Sequence, residues 1–87
     1  MIFVYIVKCN NEVYYTGITS NPRRRIAEHN SGIKTSLQRI RRPVKLVYLE
    51  GFLSRIEAAK KEKEIKGWCR KKKENLINKS ALKRKIK

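Results

Sequence analysis

The sequence predicts one small α+β domain with its elements in the order β-β-α-β-α-α. Three observations carry that reading. Two runs rich in β-branched and aromatic residues, 2–9 and 13–19, flank a turn signal. A third such run spans 44–52. Helix-forming stretches with recognisable start and stop signals follow the second and third runs. At 87 residues the chain has room for one modest core, near the size where stability becomes marginal. No internal repeat or second domain is evident.

Taken in order, residues 2–9 (IFVYIVKC) are β-branched or aromatic almost throughout, without alternation. A strand buried on both faces gives that pattern, so a central strand is expected. Asn10-Asn11-Glu12 is a turn, and 13–19 (VYYTGIT) completes a hairpin. Loop length matters here. A two-residue loop puts Tyr5 and Tyr15 on opposite faces, whereas a three-residue loop makes them diagonal neighbours on one face. The sequence leaves both open, and a shared site requires the odd loop. Gly17, inside the strand, marks a place where another backbone or a ligand comes close.

Ser20-Asn21-Pro22 starts a helix, with a capping residue and then proline in the first turn. It runs to about Asn30 and stops at Ser31-Gly32. Arg25 and His29, spaced i, i+4, share its face. Residues 33–43 are polar and basic and read as a loop. A long helix is expected over 53–68 and a shorter one over 70–78. The domain therefore covers 1–78, and the basic tail 79–87 is expected to be flexible or weakly helical.

Twenty-three Lys and Arg against seven acids give a net charge of +16. That exceeds what solubility needs and points to a polyanionic partner, nucleic acid first and an anionic membrane surface second. No apolar run reaches 18 residues, and the apolar N-terminus lacks a basic region and a cleavage site, so neither a membrane span nor a signal peptide is read. Cys9 and Cys69 have no nearby cysteine or second histidine, which excludes a zinc site of ordinary spacing and a disulfide framework. A reduced, cytoplasmic protein is the simple expectation. All seven acids are Glu, so a site with three or four acidic ligands is improbable. One carboxylate with water and substrate phosphate would suit Mg²⁺.

Candidate functional residues concentrate between Val4 and His29, and one more stands in the second helix. Glu57 has Lys60 and Lys61 at i+3 and i+4 and reads as a surface ion-pair residue, with Glu64 on the same outward face. Glu62 differs. Its helical neighbours are Ala58, Ala59, Ile65 and Cys69, which turn it toward the sheet. A buried carboxylate needs a partner: Arg25, a lysine, a tyrosine hydroxyl or a metal ion. A buried Glu–Arg pair is the plain structural alternative to a metal site.

The pattern Tyr5…Tyr15-x-Gly17-x-Thr19…Arg25-x-x-x-His29-Asn30-x-Gly32…Glu62 resembles the GIY-YIG nuclease superfamily, above all its small single-domain bacterial members. The likeness covers residues 2–77. The first signature departs from the pattern, with FVY for GIY and YTG for YIG, yet it keeps both tyrosines and the second glycine. The resemblance implies a three-stranded antiparallel sheet flanked by helices and phosphodiester hydrolysis with one divalent ion, Mg²⁺ or Mn²⁺. It implies that Tyr5 assists or acts as base on the attacking water, that Tyr15 lines the site, that Arg25 stabilises the scissile phosphate and that His29 supports the proton transfer. It assigns the metal to Glu62 and a structural part to Gly17 and Gly32, and Asn75 matches a site asparagine of some members.

The leading expectation is thus a metal-dependent DNA endonuclease, acting on branched or damaged DNA. Larger relatives take specificity from a second domain, so a protein partner is a candidate source here. Nucleic-acid contacts are expected from Arg23, Arg24, Lys34, Arg39, Arg41, Arg42, Lys66, Lys71, Lys72 and Lys73, with DNA favoured over RNA. The alternative is a basic DNA- or RNA-binding module on the same fold that does not cut. A ribosome-associated protein is a third reading, which no RNA-reading aromatic motif supports. The sequence does not fix the oligomeric state.

Overall fold

A computed structural model describes residues 1–10, 12–31 and 43–79. Three strands, β1 (Ile2–Lys8), β2 (Tyr14–Thr19) and β3 (Lys45–Phe52), alternate with helices α1 (Pro22–Ser31), α2 (Arg55–Lys66) and α3 (Arg70–Lys79) in the predicted order. The sheet runs β2-β1-β3 with both pairings antiparallel. The unbroken apolar run of β1 thus belongs to the central strand, and Val4, Tyr5, Ile6 and Val7 are all buried.

Alternation along β1 divides the core in two. Val4 and Ile6 face Tyr48, Ala58, Ile65 and Ile77, beneath α2 and α3. Tyr5 and Val7 face the other way, with Cys9, Val44, Tyr15 and Ile26 of α1. One sheet face therefore packs beneath α2 and α3, while the other carries Tyr5 and Tyr15.

The hairpin resolves the open question of loop length. Cys9 donates its N–H to the Val13 carbonyl at 2.8 Å, so the loop is residues 10–12. Glu12 takes a left-handed φ of 69° and donates to the Cys9 carbonyl, as the last residue of a three-residue hairpin loop does. Lys8 bridges to the Glu12 carboxylate at 2.9 Å.

The sequence reading of Glu57 is corrected. Ser54 caps α2, its hydroxyl accepting the Glu57 N–H and donating to the Glu57 carboxylate at 3.1 Å. The N-cap serine thus takes the side chain that Lys60 and Lys61 were expected to hold. Glu64 does pair with Lys61, at 3.1 Å. The loop expected over 33–43 and the tail expected over 79–87 fall largely outside the described residues, with α3 reaching Lys79. Among the described residues, no helix is long and apolar enough to cross a membrane.

Candidate active site

Ladder register sets the two tyrosines. Tyr5 pairs with Gly17 and Val7 with Tyr15, so both rings project from one face as diagonal neighbours, with centroids 6.4 Å apart. The Tyr5 ring lies directly over Gly17. A Cβ at that position would stand 2.5 Å from the Tyr5 hydroxyl oxygen and 2.7 Å from Cζ. The close approach that Gly17 signals is made by the Tyr5 side chain of the same sheet.

Helix α1 then closes over this face. Its start is fixed by Asn21, whose Oδ1 accepts the Arg24 N–H at 3.1 Å, with Pro22 in the first turn. Its far end is tied to the start of β3. The Val44 N–H donates to Asn30 Oδ1 at 2.6 Å, and Asn30 Nδ2 donates to the Val44 carbonyl at 3.4 Å. Between these anchors His29 is driven inward and is fully buried. Its Nε2 lies 2.9 Å from the Tyr5 hydroxyl, and its ring meets Tyr15 edge-on at 5.2 Å.

Arg25 sits one turn earlier on the same face, half-buried. Its Nη1 donates to Glu28 at 3.1 Å, and its guanidinium also hydrogen-bonds the Tyr5 hydroxyl. The structure thus brings Tyr5, Tyr15, Arg25 and His29 together. The sequence reading gave no role to Glu28, and it named Asn30 only within the motif pattern. Glu28 was detectable as the i+3 neighbour of Arg25. Asn30 acts across 14 residues of chain, and no local signal marks that role.

These contacts set protonation. Burial, and then the Arg25 charge, hold the His29 imidazole below its ordinary value, so it is neutral at neutral pH. Burial pushes the Tyr5 phenol up and outweighs the Arg25 contact that lowers it; the Tyr15 and Glu62 charges add to the rise. The Arg25 guanidinium, although partly desolvated, is raised by Tyr5 and Glu28. A stability prediction follows from His29. Its folded value lies below the unfolded one, so the unfolded chain binds more protons as pH falls through the ordinary histidine range. The contribution is present above about pH 6.5 and is lost below it. Thermal melts should show lower Tm at pH 5 than at pH 7, with a shallower dependence in His29→Gln; identical slopes would remove His29 as the cause.

Glu62 stands on α2 with 22% of its side chain exposed, and Lys66 Nζ reaches it at 3.2 Å. The partner the sequence demanded is therefore a lysine one turn away. Ala59 and Cys69, counted as apolar neighbours, are exposed, so Glu62 sits at the seam of the buried face. Its charge nonetheless acts on Tyr5. Among the described residues, no group of three or more His, Cys, Asp or Glu could hold a metal ion. A single half-buried carboxylate fits a hard cation that keeps several waters and takes the rest of its ligands from a phosphate.

The basic residues divide between two faces. Arg23 and Arg24 are exposed on α1, and Lys66 is exposed beside Glu62. Lys71 and Lys72 are exposed on α3, which packs on the sheet face opposite α1; Lys73 is half-buried there. Lys72 also lies 4.6 Å from the Trp68 ring. Asn75 is exposed on α3 and is not brought to the tyrosines. Gly32, Lys34, Arg39, Arg41 and Arg42 lie outside the described residues.

Comparison with known proteins places this geometry. A model of the GIY-YIG catalytic domain matches residues 1–75. A UPF0213 protein of Listeria welshimeri is 44% identical over 75 residues, covering 86% of this chain and 83% of the relative. A UPF0213 protein of Natronomonas pharaonis is 45% identical over 75 residues, covering 86% and 88%. The solution structure of a UPF0213 protein from Bacillus halodurans is similar at 40% identity and a TM-score of 0.60, covering 93% of this chain and 88% of that one. The paired tyrosines on one sheet face, the Arg-x-x-x-His face of α1 and the match over residues 1–75 agree, and the chain belongs to the GIY-YIG superfamily, alongside its small UPF0213 proteins.

Proposed function

We propose that this chain is a metal-dependent endonuclease that hydrolyses DNA phosphodiester bonds at the Tyr5, Tyr15, Arg25 and His29 cluster. Membership of the superfamily points to nuclease activity and to nucleic-acid binding. The observation that carries the finer reading is the 2.9 Å contact between the Tyr5 hydroxyl and His29 Nε2, with Arg25 on the same hydroxyl.

A tyrosine whose pKa is raised is a poor base by itself. The 2.9 Å histidine contact gives the phenol proton an acceptor. Neutral His29 accepts the Tyr5 proton at Nε2 as the Tyr5 oxygen takes a proton from the attacking water. Water becomes the nucleophile without a free phenolate, and the positive charge rests on a buried imidazolium. The hydroxide oxygen bonds to phosphorus as the P–O bond to the leaving strand breaks; the departing oxygen takes a proton from solvent water, and the imidazolium proton returns to solvent. Arg25 meets the phosphate oxygens with planar donors suited to bidentate contact. Tyr15 backs the imidazole edge-on and limits its rotation. Glu62 would hold Mg²⁺ or Mn²⁺, which when bound acidifies water and neutralises phosphate charge.

The test is cleavage of labelled linear, nicked and branched DNA at low salt with Mg²⁺ or Mn²⁺, run against EDTA and against Tyr5→Phe and Glu62→Ala. Metal-dependent cutting lost in both variants, with binding retained, is the expected result. Binding without cutting on every substrate favours the second reading, a binding module, for which Lys71 and Lys72 on the face away from the cluster speak. Branched substrates are included because basic residues on both faces suit DNA with more than one arm. Either way affinity should fall about 10³-fold or more between 50 and 200 mM salt if roughly six phosphates are engaged.

A further inference from the structure

Glu28 is a carboxylate in an awkward place. It lies in the last turn of α1, where the helix dipole disfavours negative charge. Its pairings to Arg25 and Arg24 run with the cation N-terminal to the anion, at 3.1 Å and 3.9 Å, the less favourable order on a helix. It also stands beside the guanidinium proposed for the phosphate, in a chain whose net charge of +16 favours anion binding everywhere else. Helix stability and phosphate affinity would both gain from its absence. Yet its side chain is only 20% exposed, and that of Arg25 only 24%.

The geometry points to Glu28 as a positioning residue: by occupying Arg25 Nη1 it fixes the guanidinium so that its remaining donors face Tyr5 and the incoming phosphate. This rests on the nuclease reading above. An Arg side chain has many rotamers, and a half-buried arginine without that carboxylate would sample more of them. The carboxylate removes that freedom before substrate arrives, at the expense of some attraction for DNA. Glu28 therefore gives up ground-state affinity in exchange for orientation, and orientation at a reacting phosphate is worth large factors in rate.

The proposal separates binding from cutting by sign. In Glu28→Ala, single-turnover cleavage should fall at least about tenfold through loss of orientation, while the duplex Kd at low salt should tighten about twofold as one repelling charge is lost. Glu28→Gln keeps the shape and an acceptor for Arg25 Nη1, so it should recover part of the rate. A merely structural carboxylate would lower cutting, binding and Tm together. Arg25 is read directly by its Nε–H signal in NMR spectra of the protein without DNA. A signal dispersed in wild type, shifted toward the exposed-arginine position in Glu28→Ala and less so in Glu28→Gln, supports the hold. Wild-type cutting rates in both variants, or an unmoved Arg25 signal, overturn it. If wild type cuts nothing with either metal, the nuclease reading falls, and the Arg25 signal still decides whether Glu28 holds the arginine.

Discussion

Arg25→Ala is expected to lower single-turnover cleavage about 10³-fold, the scale for removing a preorganised charge from a phosphoryl-transfer site. Duplex affinity should weaken only a few-fold, because Arg25 is one of 23 basic residues. Three contacts make the loss large. In the proposed reaction the guanidinium is the charge that meets the phosphate, it hydrogen-bonds the Tyr5 hydroxyl, and it offsets the upward push that burial gives that phenol. Its removal also leaves the half-buried Glu28 carboxylate without its 3.1 Å partner, which adds repulsion where phosphate must sit. Arg25→Lys restores the charge without planar bidentate donors and should recover only part of the rate. The measurement is kcat-type single-turnover rate beside fluorescence-anisotropy Kd. Equal losses in rate and affinity would make Arg25 an ordinary phosphate contact.

The pattern of what could be read in advance has a physical basis. β1 was legible because a strand flanked on both sides needs apolar residues on both faces, and α1 because Asn21 and Pro22 announce its start. The shared face of Arg25 and His29 followed from helical geometry alone. What remained open depended on one residue of loop length: the left-handed Glu12 selects the odd loop, yet nothing in Asn10-Asn11-Glu12 singles it out. Glu57 misled, and the partner of Glu62 stayed open, for a related reason. Helical spacing offers each several partners three or four residues away, and only the position of Ser54 and the edge of the buried face decide between them. The Asn30 clasp on Val44 exists only once α1 and β3 are packed together.

Gly17→Ala should abolish most activity without touching a polar group. The backbone there needs no unusual conformation; the constraint is space. The added methyl would lie 2.5 Å from the Tyr5 hydroxyl and 2.7 Å from Cζ, so the ring must move. It has little freedom to do so. Both neighbouring strands hold its backbone in register, Tyr15 flanks the ring, and the hydroxyl is bound to His29 at 2.9 Å. A shift of about 1 Å breaks that bond and misplaces the oxygen that meets water, which costs on the order of 10²-fold in rate. Overpacking of this kind destabilises by about 1–3 kcal/mol, and each kcal/mol lowers Tm by roughly 4–8 °C in a domain this small. Thermal melts and cleavage rates measure both. The two effects can be told apart with Tyr5→Phe/Gly17→Ala. Loss of the hydroxyl relieves the tighter of the two clashes, so the double variant should melt above Gly17→Ala alone while remaining inactive. Such non-additivity marks residues in direct contact. A Gly17→Ala protein that cuts at the wild-type rate would mean that the Tyr5 position over Gly17 does not matter to the reaction, and the proton path through Tyr5 and His29 would have to be abandoned.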